Sequence, residues 1–329
     1  MFQVDPILWL QAFESPFFTW FMYLVSSLGY SIVYGVLIAI IAFGINLRKG
    51  LAIFMIMVIG GIMTDGMKRG LQFPRPSDID VRVNKPGYMP GQKLVNDGGA
   101  TDFWSLPTPE AMEAAKRQTD WSYGFPSGHV SAAVAFMFGL FFFYRKKGLL
   151  VFAICWTILM CLSRMYLGRH FLADVIGGVF VGLLAIGIAS LLLRHLNVGG
   201  YKRLNKNAFI RIASFIVPLV VLVPFIELLD ADNVGRLFGL AVAYYMISSV
   251  MGHYSDGGTI WKRIFRILLS FALFFPFELL VDFIVDATGL NEDTRIVMLV
   301  TTFLLTSIPF ILTVKVSKDL GLYIRKNKI

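Results

Sequence analysis

Three groups of polar residues interrupt an otherwise apolar chain, and their types and spacing suit a phosphoryl anion. Lys68 is followed seven residues later by Arg75-Pro76; Pro126-Ser127-Gly128-His129 forms a second group; Ser163-Arg164, His170 and Asp174 form a third. Lys68, Arg75 and Arg164 are three cations that repel unless they share an anion. Two guanidinium forks and an ammonium can hold the oxygens of one phosphoryl group. Ser127 and Gly128 stand where a helix begins after Pro126; they suit a helix cap, and Gly128 lets a ligand approach backbone N–H groups and the positive end of the helix dipole. Asp174 follows His170 by four residues, which predicts one helix face, with the carboxylate fixing the imidazole tautomer and leaving the other ring nitrogen free to attack. His129 is then available to protonate the leaving oxygen. The remaining two of the four histidines, His195 and His253, fall in connecting segments where solvation accounts for them.

The elements that must carry these groups are membrane helices. The 329 residues are 57% hydrophobic and 16% charged, against about 45–50% and about 25% for a soluble domain. Apolar runs long enough to cross a hydrocarbon core of about 30 Å recur along the chain. The expectation is an all-α polytopic bundle of about nine spans, near 17–47, 51–72, 128–144, 149–167, 171–193, 208–229, 235–252, 266–287 and 296–314. The first is long enough for one tilted helix or a tight hairpin. Pro6 to Phe13 suits a short interfacial helix, and Thr108-Pro109-Glu110 predicts a helix to about Arg117, with a hydroxyl cap and Pro at its first position. Chain order places the three polar groups at the same end of consecutive spans.

Charge sets the expected orientation. The net charge of +9 would suggest nucleic acid in a soluble protein, but 18 of the 30 Lys and Arg lie in alternate connections and the C-terminal tail, beside only Asp256 and Asp319 as acids. By the positive-inside rule these segments are cytoplasmic, so the basic excess is a topology signal with a smaller contribution from anionic lipid, and nucleic acid is not an expected partner. The long connection at 73–125, with Asp78, Asp80, Asp97, Asp102, Glu110, Glu113 and Asp120, then faces the other side. Its Phe103, Trp104, Trp121 and Tyr123 suit a membrane interface. The N-terminal 20 residues lack Lys and Arg, unlike the basic start of a cleaved signal peptide. Cys155 and Cys161, six apart in one apolar run, read as small core residues and not as a bridge or metal site.

Read together, Lys68-x6-Arg75-Pro76, Pro126-Ser127-Gly128-His129 and Ser163-Arg164-x5-His170-x3-Asp174 resemble the signature of the type 2 phosphatidic acid phosphatase superfamily, without departure at any signature position. The likeness covers about residues 51–195. It implies a phosphohistidine on His170, protonation of the leaving group by His129, phosphate binding by Lys68, Arg75, Ser127, Gly128 and Arg164, and no metal or other cofactor. Soluble vanadate-dependent haloperoxidases share the signature, and the membrane spans count against that branch. A nine-span layout is also similar to the glucose-6-phosphatase branch.

The organisation expected is an interfacial N-terminal helix at 1–16, a catalytic membrane core at 17–195 with its outer loop at 73–125, and a four-helix membrane extension at 196–329. The leading function is hydrolysis of a lipid phosphate or polyprenyl diphosphate at the non-cytoplasmic membrane boundary. The alternatives are a sugar-phosphate phosphatase, or a transporter or scaffold that binds phosphate without cleaving it; a binder has no need of the two histidines and Asp174. Other polar features have structural readings. Asp65 can pair with Lys68, Gly178 and Gly182 suit close helix packing, and the stripe Glu278, Asp282, Asp286 suits ion pairs with Arg236 and Arg295. Pro224 to Asp230 resembles Pro276 to Asp282 and hints at a duplicated hairpin.

Overall fold

The computed structural model describes residues 1–86, 93–117, 123–195, 229–250, 254–291 and 294–325. All but the last residue of the span expected at 208–229 lies outside them, as do most of the first copy of the suggested repeat, Trp121 and His253. Among the described residues the protein is all-α apart from a two-residue antiparallel pair, Tyr254–Ser255 with Ile324–Arg325, and an isolated bridge between Asp80 and Asp97. Among the described residues five helices are long and apolar enough to cross a membrane, and a bent pair makes a sixth if it counts as one span. The chain is thus a multi-pass membrane protein, and the described residues give five or six of the nine spans expected. It divides into two compact units, Met1–Tyr34 with Met63–Gly187, and Gly35–Ile62 with Ile188–Ile329.

In the first unit, α1 (Asp5–Gln11) buries Ile7 and Leu10 while Trp9 and Phe13 remain exposed. It therefore packs by one face. Helix α2 (Pro16–Ser27) starts where Ser15 Oγ accepts the Phe18 N–H at 3.2 Å and Pro16 occupies the first position, a preferred N-terminus. The long first apolar segment then breaks. After Leu28–Tyr30 the chain resumes as α3 (Ser31–Ala39), bent by 55° and continued by a π-turn over Ile40–Ile45. Helix α4 (Leu47–Leu71) leads to the long connection, which holds α5 (Pro76–Ile79) and α6 (Pro109–Lys116). The helix expected after Thr108 is present, with Thr108 Oγ1 accepting the Ala111 N–H at 3.3 Å.

Helices α7 (Gly128–Tyr144) and α8 (Lys147–Tyr166) form a hairpin turned by Arg145 in the left-handed region, and α9 (Leu172–His195) packs on α7. The glycine pair acts there as expected. A Cβ on Gly178 would stand 2.7 Å from Ser127 O, and one on Gly182 2.6 Å from Val134 Cβ, so only glycine permits this approach of α7 and α9. Cys155 is exposed on α8, contrary to the core position expected for it, and Cys161 is half-buried; both are free thiols.

The connection is tied down by its own polar groups. Lys93 Nζ donates to the carbonyls of Ser77, Asp80 and Val83 at 2.7, 2.9 and 3.0 Å. Lys85 pairs with the buried Asp78 at 2.8 Å. Burial alone would raise the Asp80 carboxyl, but the hydrogen bonds and charge of Arg82 outweigh it and hold Asp80 below the usual carboxylate range. Tyr123 is buried, contrary to the interfacial position expected for it, whereas Trp104 is largely exposed.

In the second unit, α10 (Ala231–Val250) packs on α12 (Arg295–Asp319), with Gly239 so near that a Cβ would lie 2.6 Å from Phe303 O. Helix α11 (Ile260–Thr288) lies against α12 and the π-turn. Phe43, Leu47 and Leu51 share a core with Leu240, Ile247 and Val314. Arg266 is fully buried, donating to Asp256 O at 2.8 Å and lying 4.5 Å above the Tyr323 ring. The ion pairs expected for the acidic stripe are not formed through Arg236, which pairs with Asp232 one turn away on α10 at 2.6 Å; Asp282 and Asp286 are exposed.

Candidate functional site

The three polar groups converge in the first unit. Lys68 sits in the last turn of α4. Arg75 precedes Pro76 and takes the extended backbone this imposes, φ −92° and ψ 150°. Both flanks of that segment are pinned: Gly124 N–H donates to Phe73 O at 2.7 Å, and Ser77 N–H to Gly168 O at 3.2 Å. Gly168 has φ +65°, and a Cβ there would fall 2.2 Å from Asn84 O, so the tight turn between α8 and α9 requires glycine. Ser127 N–H donates to Asp174 O at 2.9 Å, which joins the start of α7 to the start of α9.

Ser127 occupies the N-cap position of α7, but its hydroxyl does not cap the helix. The expected capping role is therefore absent, and Ser127 Oγ is buried without a protein partner. Arg164, in the last turn of α8, is buried and donates through Nη1 to Ser26 Oγ; its neighbour Ser163 donates to Met22 O at 2.6 Å. His129, in the first turn of α7, forms a T-shaped ring pair with Tyr30, centroids 5.0 Å apart.

His170 lies in the link before α9, not on the helix as the spacing suggested. Its Nδ1 is 3.4 Å from Asp174 Oδ2, within ion-pair reach, yet the direction is not that of a hydrogen bond. Asp174 Oδ2 instead accepts the Phe171 N–H at 2.8 Å. The Asp174 side chain thus holds the His170 link to the first turn of α9, with the same oxygen within reach of the imidazole. Burial first, then the charges of Arg164, Arg75 and Lys68, hold the His170 imidazole well below its usual pKa, so the ring is neutral.

Lys68, Arg75 and Arg164 lie within electrostatic reach of one another and of both histidines, and Asp65 within reach of Lys68. Sequence spacing missed a further cation, Arg169, which acts on Arg75 and His129. Its only signal was its place beside His170. Thr64 and Ser131, hydrogen-bonded at 2.9 Å beneath the start of α7, were also missed, as were the contacts of Ser26 and Tyr30.

Arg75 Nε and Nη1, Ser127 Oγ, His129 Nε2, His170 Nδ1 and Asp174 Oδ1 are buried without a hydrogen-bond partner. Buried polar groups are rarely left so, and a cluster of them signals a ligand. Several cations at one buried place repel strongly in a low dielectric, so the ligand that fits is a compact anion with several oxygens. An added Cβ at Gly128 would meet only Thr64 Cγ2, at 3.7 Å, which leaves the backbone there open to such an anion. Among the described residues no three His, Cys, Asp or Glu side chains cluster to hold a metal ion.

Residues 49–197 match the model of the PAP2 superfamily. Human sphingosine-1-phosphate phosphatase 2 is 35% identical over 89 residues, 25% of this chain and 22% of its own. The mouse protein of that name is 30% identical over 92 residues, 26% of each chain. Lipid A 4'-phosphatase of Bacteroides thetaiotaomicron is 32% identical over 60 residues, 18% of this chain and 27% of its own. The chain therefore spans about a quarter of the length of these curated relatives. No solved structure matches it.

Proposed function

We propose that this chain, whose residues 49–197 match the model of the PAP2 superfamily, is a member of that superfamily and a membrane phosphatase acting on a lipid phosphate or polyprenyl diphosphate. The cluster of buried, unpartnered polar atoms drawn from all three sequence groups carries this reading. The names of the relatives, a sphingosine-1-phosphate phosphatase and a lipid A phosphatase, favour a lipid substrate.

Lys68, Arg75 and Arg164, with Ser127 and the open backbone at Gly128, hold the non-bridging phosphoryl oxygens, and Arg169 adds to their field. Such preorganised charge acts most strongly where charge develops in the transition state. The neutral His170, whose Nδ1 faces Asp174, attacks phosphorus through Nε2. The N–P bond forms as the bond to the leaving oxygen breaks, and His129, which carries a second proton once the bound phosphoryl anion offsets the surrounding cations, gives it to that oxygen. The deprotonated His129 then takes a proton from water, which attacks the phosphohistidine, releases phosphate and restores His170. The cations meet the phosphoryl charge without a metal ion.

The basic connections are the cytoplasmic ones in this reading, which puts the site at the non-cytoplasmic membrane boundary. Purified protein should release phosphate from lipid and polyprenyl substrates in preference to sugar phosphates, withstand EDTA and be inhibited by vanadate. A ³²P substrate should leave acid-labile, base-stable label on the native protein and none on His170→Ala. Label on His170→Ala, or activity lost in EDTA and restored by Mg²⁺, would overturn the mechanism.

A further inference from the structure

Two groups of the site are touched by a segment that none of the three sequence groups includes, the break between α2 and α3. Ser26 is buried and accepts a hydrogen bond from Arg164 Nη1. Gly29 approaches His129 so closely that a Cβ would stand 2.8 Å from the imidazole Cδ2 and 2.9 Å from Met160 Cε. The Met160 methyl can swing away. A ring in the first turn of α7 can yield only by carrying its Nε2 elsewhere. Tyr30 closes on the same ring, edge to face, the planes 71° apart. Residues 26, 29 and 30 stand together in the turn that ends α2, where the Gly29 and Tyr30 N–H groups donate to Ser26 O and Ser27 O at 2.9 and 3.3 Å, and all belong to the same compact unit as His129 and Arg164. They lie outside the stretch at 49–197 that matches the family.

We propose that the α2–α3 break is a fourth part of the site: Gly29 and Tyr30 position the His129 imidazole against the leaving oxygen, and Ser26 positions the Arg164 guanidinium against the phosphoryl oxygens. This rests on the roles of His129 and Arg164 given above. The three are positioning residues. Gly29→Ala acts through the general acid, so it should cost an alkyl phosphate up to about 10²-fold while an aryl phosphate, which needs little protonation, loses less than about threefold. Tyr30→Leu should show the same split with a smaller factor. Ser26→Ala loosens an anion-binding group and should slow both substrates alike and weaken vanadate inhibition, with Ser26→Thr restoring both.

The deciding experiment measures kcat and KM on both substrates for each variant, for His129→Ala, and for Gly29→Ala in the His129→Ala background. If Gly29 acts through the imidazole, its substitution should change the residual alkyl rate of His129→Ala by less than about twofold. Where Gly29→Ala fails to yield monodisperse protein, Tyr30→Leu alone and in the His129→Ala background decides. A leaving-group split for His129→Ala without one for Gly29→Ala or Tyr30→Leu, or factors that multiply in the double variants, would overturn this proposal alone. Equal losses on both substrates for His129→Ala would overturn the general-acid assignment and this proposal with it.

Discussion

Gly178→Ala and Gly182→Ala should separate catalysis from folding through the spacing of α7 and α9. On Gly178 the new methyl would meet Ser127 O at 2.7 Å and Val130 Cβ at 3.0 Å; on Gly182 it would meet Val134 Cβ at 2.6 Å and Ser131 O at 2.8 Å. Unstrained contacts of these kinds need about 3.5–4.0 Å, and neither a backbone oxygen nor a Cβ can rotate away, so the helices must part by the better part of an ångström. Overpacking of this kind costs about 1–3 kcal/mol of stability. The catalytic cost is larger, because α7 carries Ser127 and His129 while the start of α9 anchors His170 through Asp174. A misplacement of about 1 Å between reacting groups lowers the rate by about 10²-fold. Gly187→Ala, on the same helix with nothing within 4 Å of the new methyl, is the control and should be neutral or stabilising by up to about 1 kcal/mol. The assay pairs thermal unfolding in detergent with kcat on an aryl phosphate. Lowered stability with an unchanged kcat in both Gly178→Ala and Gly182→Ala would refute the link between helix spacing and site geometry.

The neutral His170 predicts acid sensitivity. Between its lowered folded pKa and the usual value of about 6.5 the unfolded chain binds a proton that the folded one does not. Stability should fall as pH drops below about 6.5, by at most about 1.4 kcal/mol per unit, and His170→Gln should flatten that part of a thermal-unfolding profile. Asp174→Asn should impair turnover without abolishing it, since an amide oxygen can still accept the Phe171 N–H while the ionisable group beside His170 is lost; equal single-turnover rates for variant and wild type would count against a role for the carboxyl group. Lys93→Met leaves three carbonyls without their donor and should destabilise the connection by about 1–3 kcal/mol, seen as faster proteolysis between Ser77 and Asn96. Single cysteines at Asp97 and Lys326 should label from opposite sides of the membrane, and labelling of both from one side would reject the proposed orientation.

Composition and apolar run length were enough to show an all-α membrane protein, because apolar runs of about 20 residues fit spanning helices, whereas a barrel strand crosses in about 10. The three polar groups were legible for a related reason: charges and histidines are costly at a membrane boundary, so few are present and their spacing stands out. Local signals also survived folding where one segment decides the outcome, as at Ser15-Pro16 and Thr108-Pro109. Contacts between segments distant in sequence were beyond such reading. The hydroxyl of Ser127 looked like a helix cap, but the cap geometry is not adopted and the oxygen is left buried without a partner. The spacing of His170 and Asp174 suggested a helix face, whereas α9 begins only at Leu172, and the pair became a link tied back to the first turn. Nothing in the order of residues 26 to 30 announces Arg164 and His129, more than 95 residues away; hydropathy sees one long apolar run there, and only packing of the α2–α3 break against α7 and α8 gives Ser26, Gly29 and Tyr30 their neighbours. Residue type is fixed along the chain, but the direction in which a buried polar atom points depends on which distant helix stands opposite it.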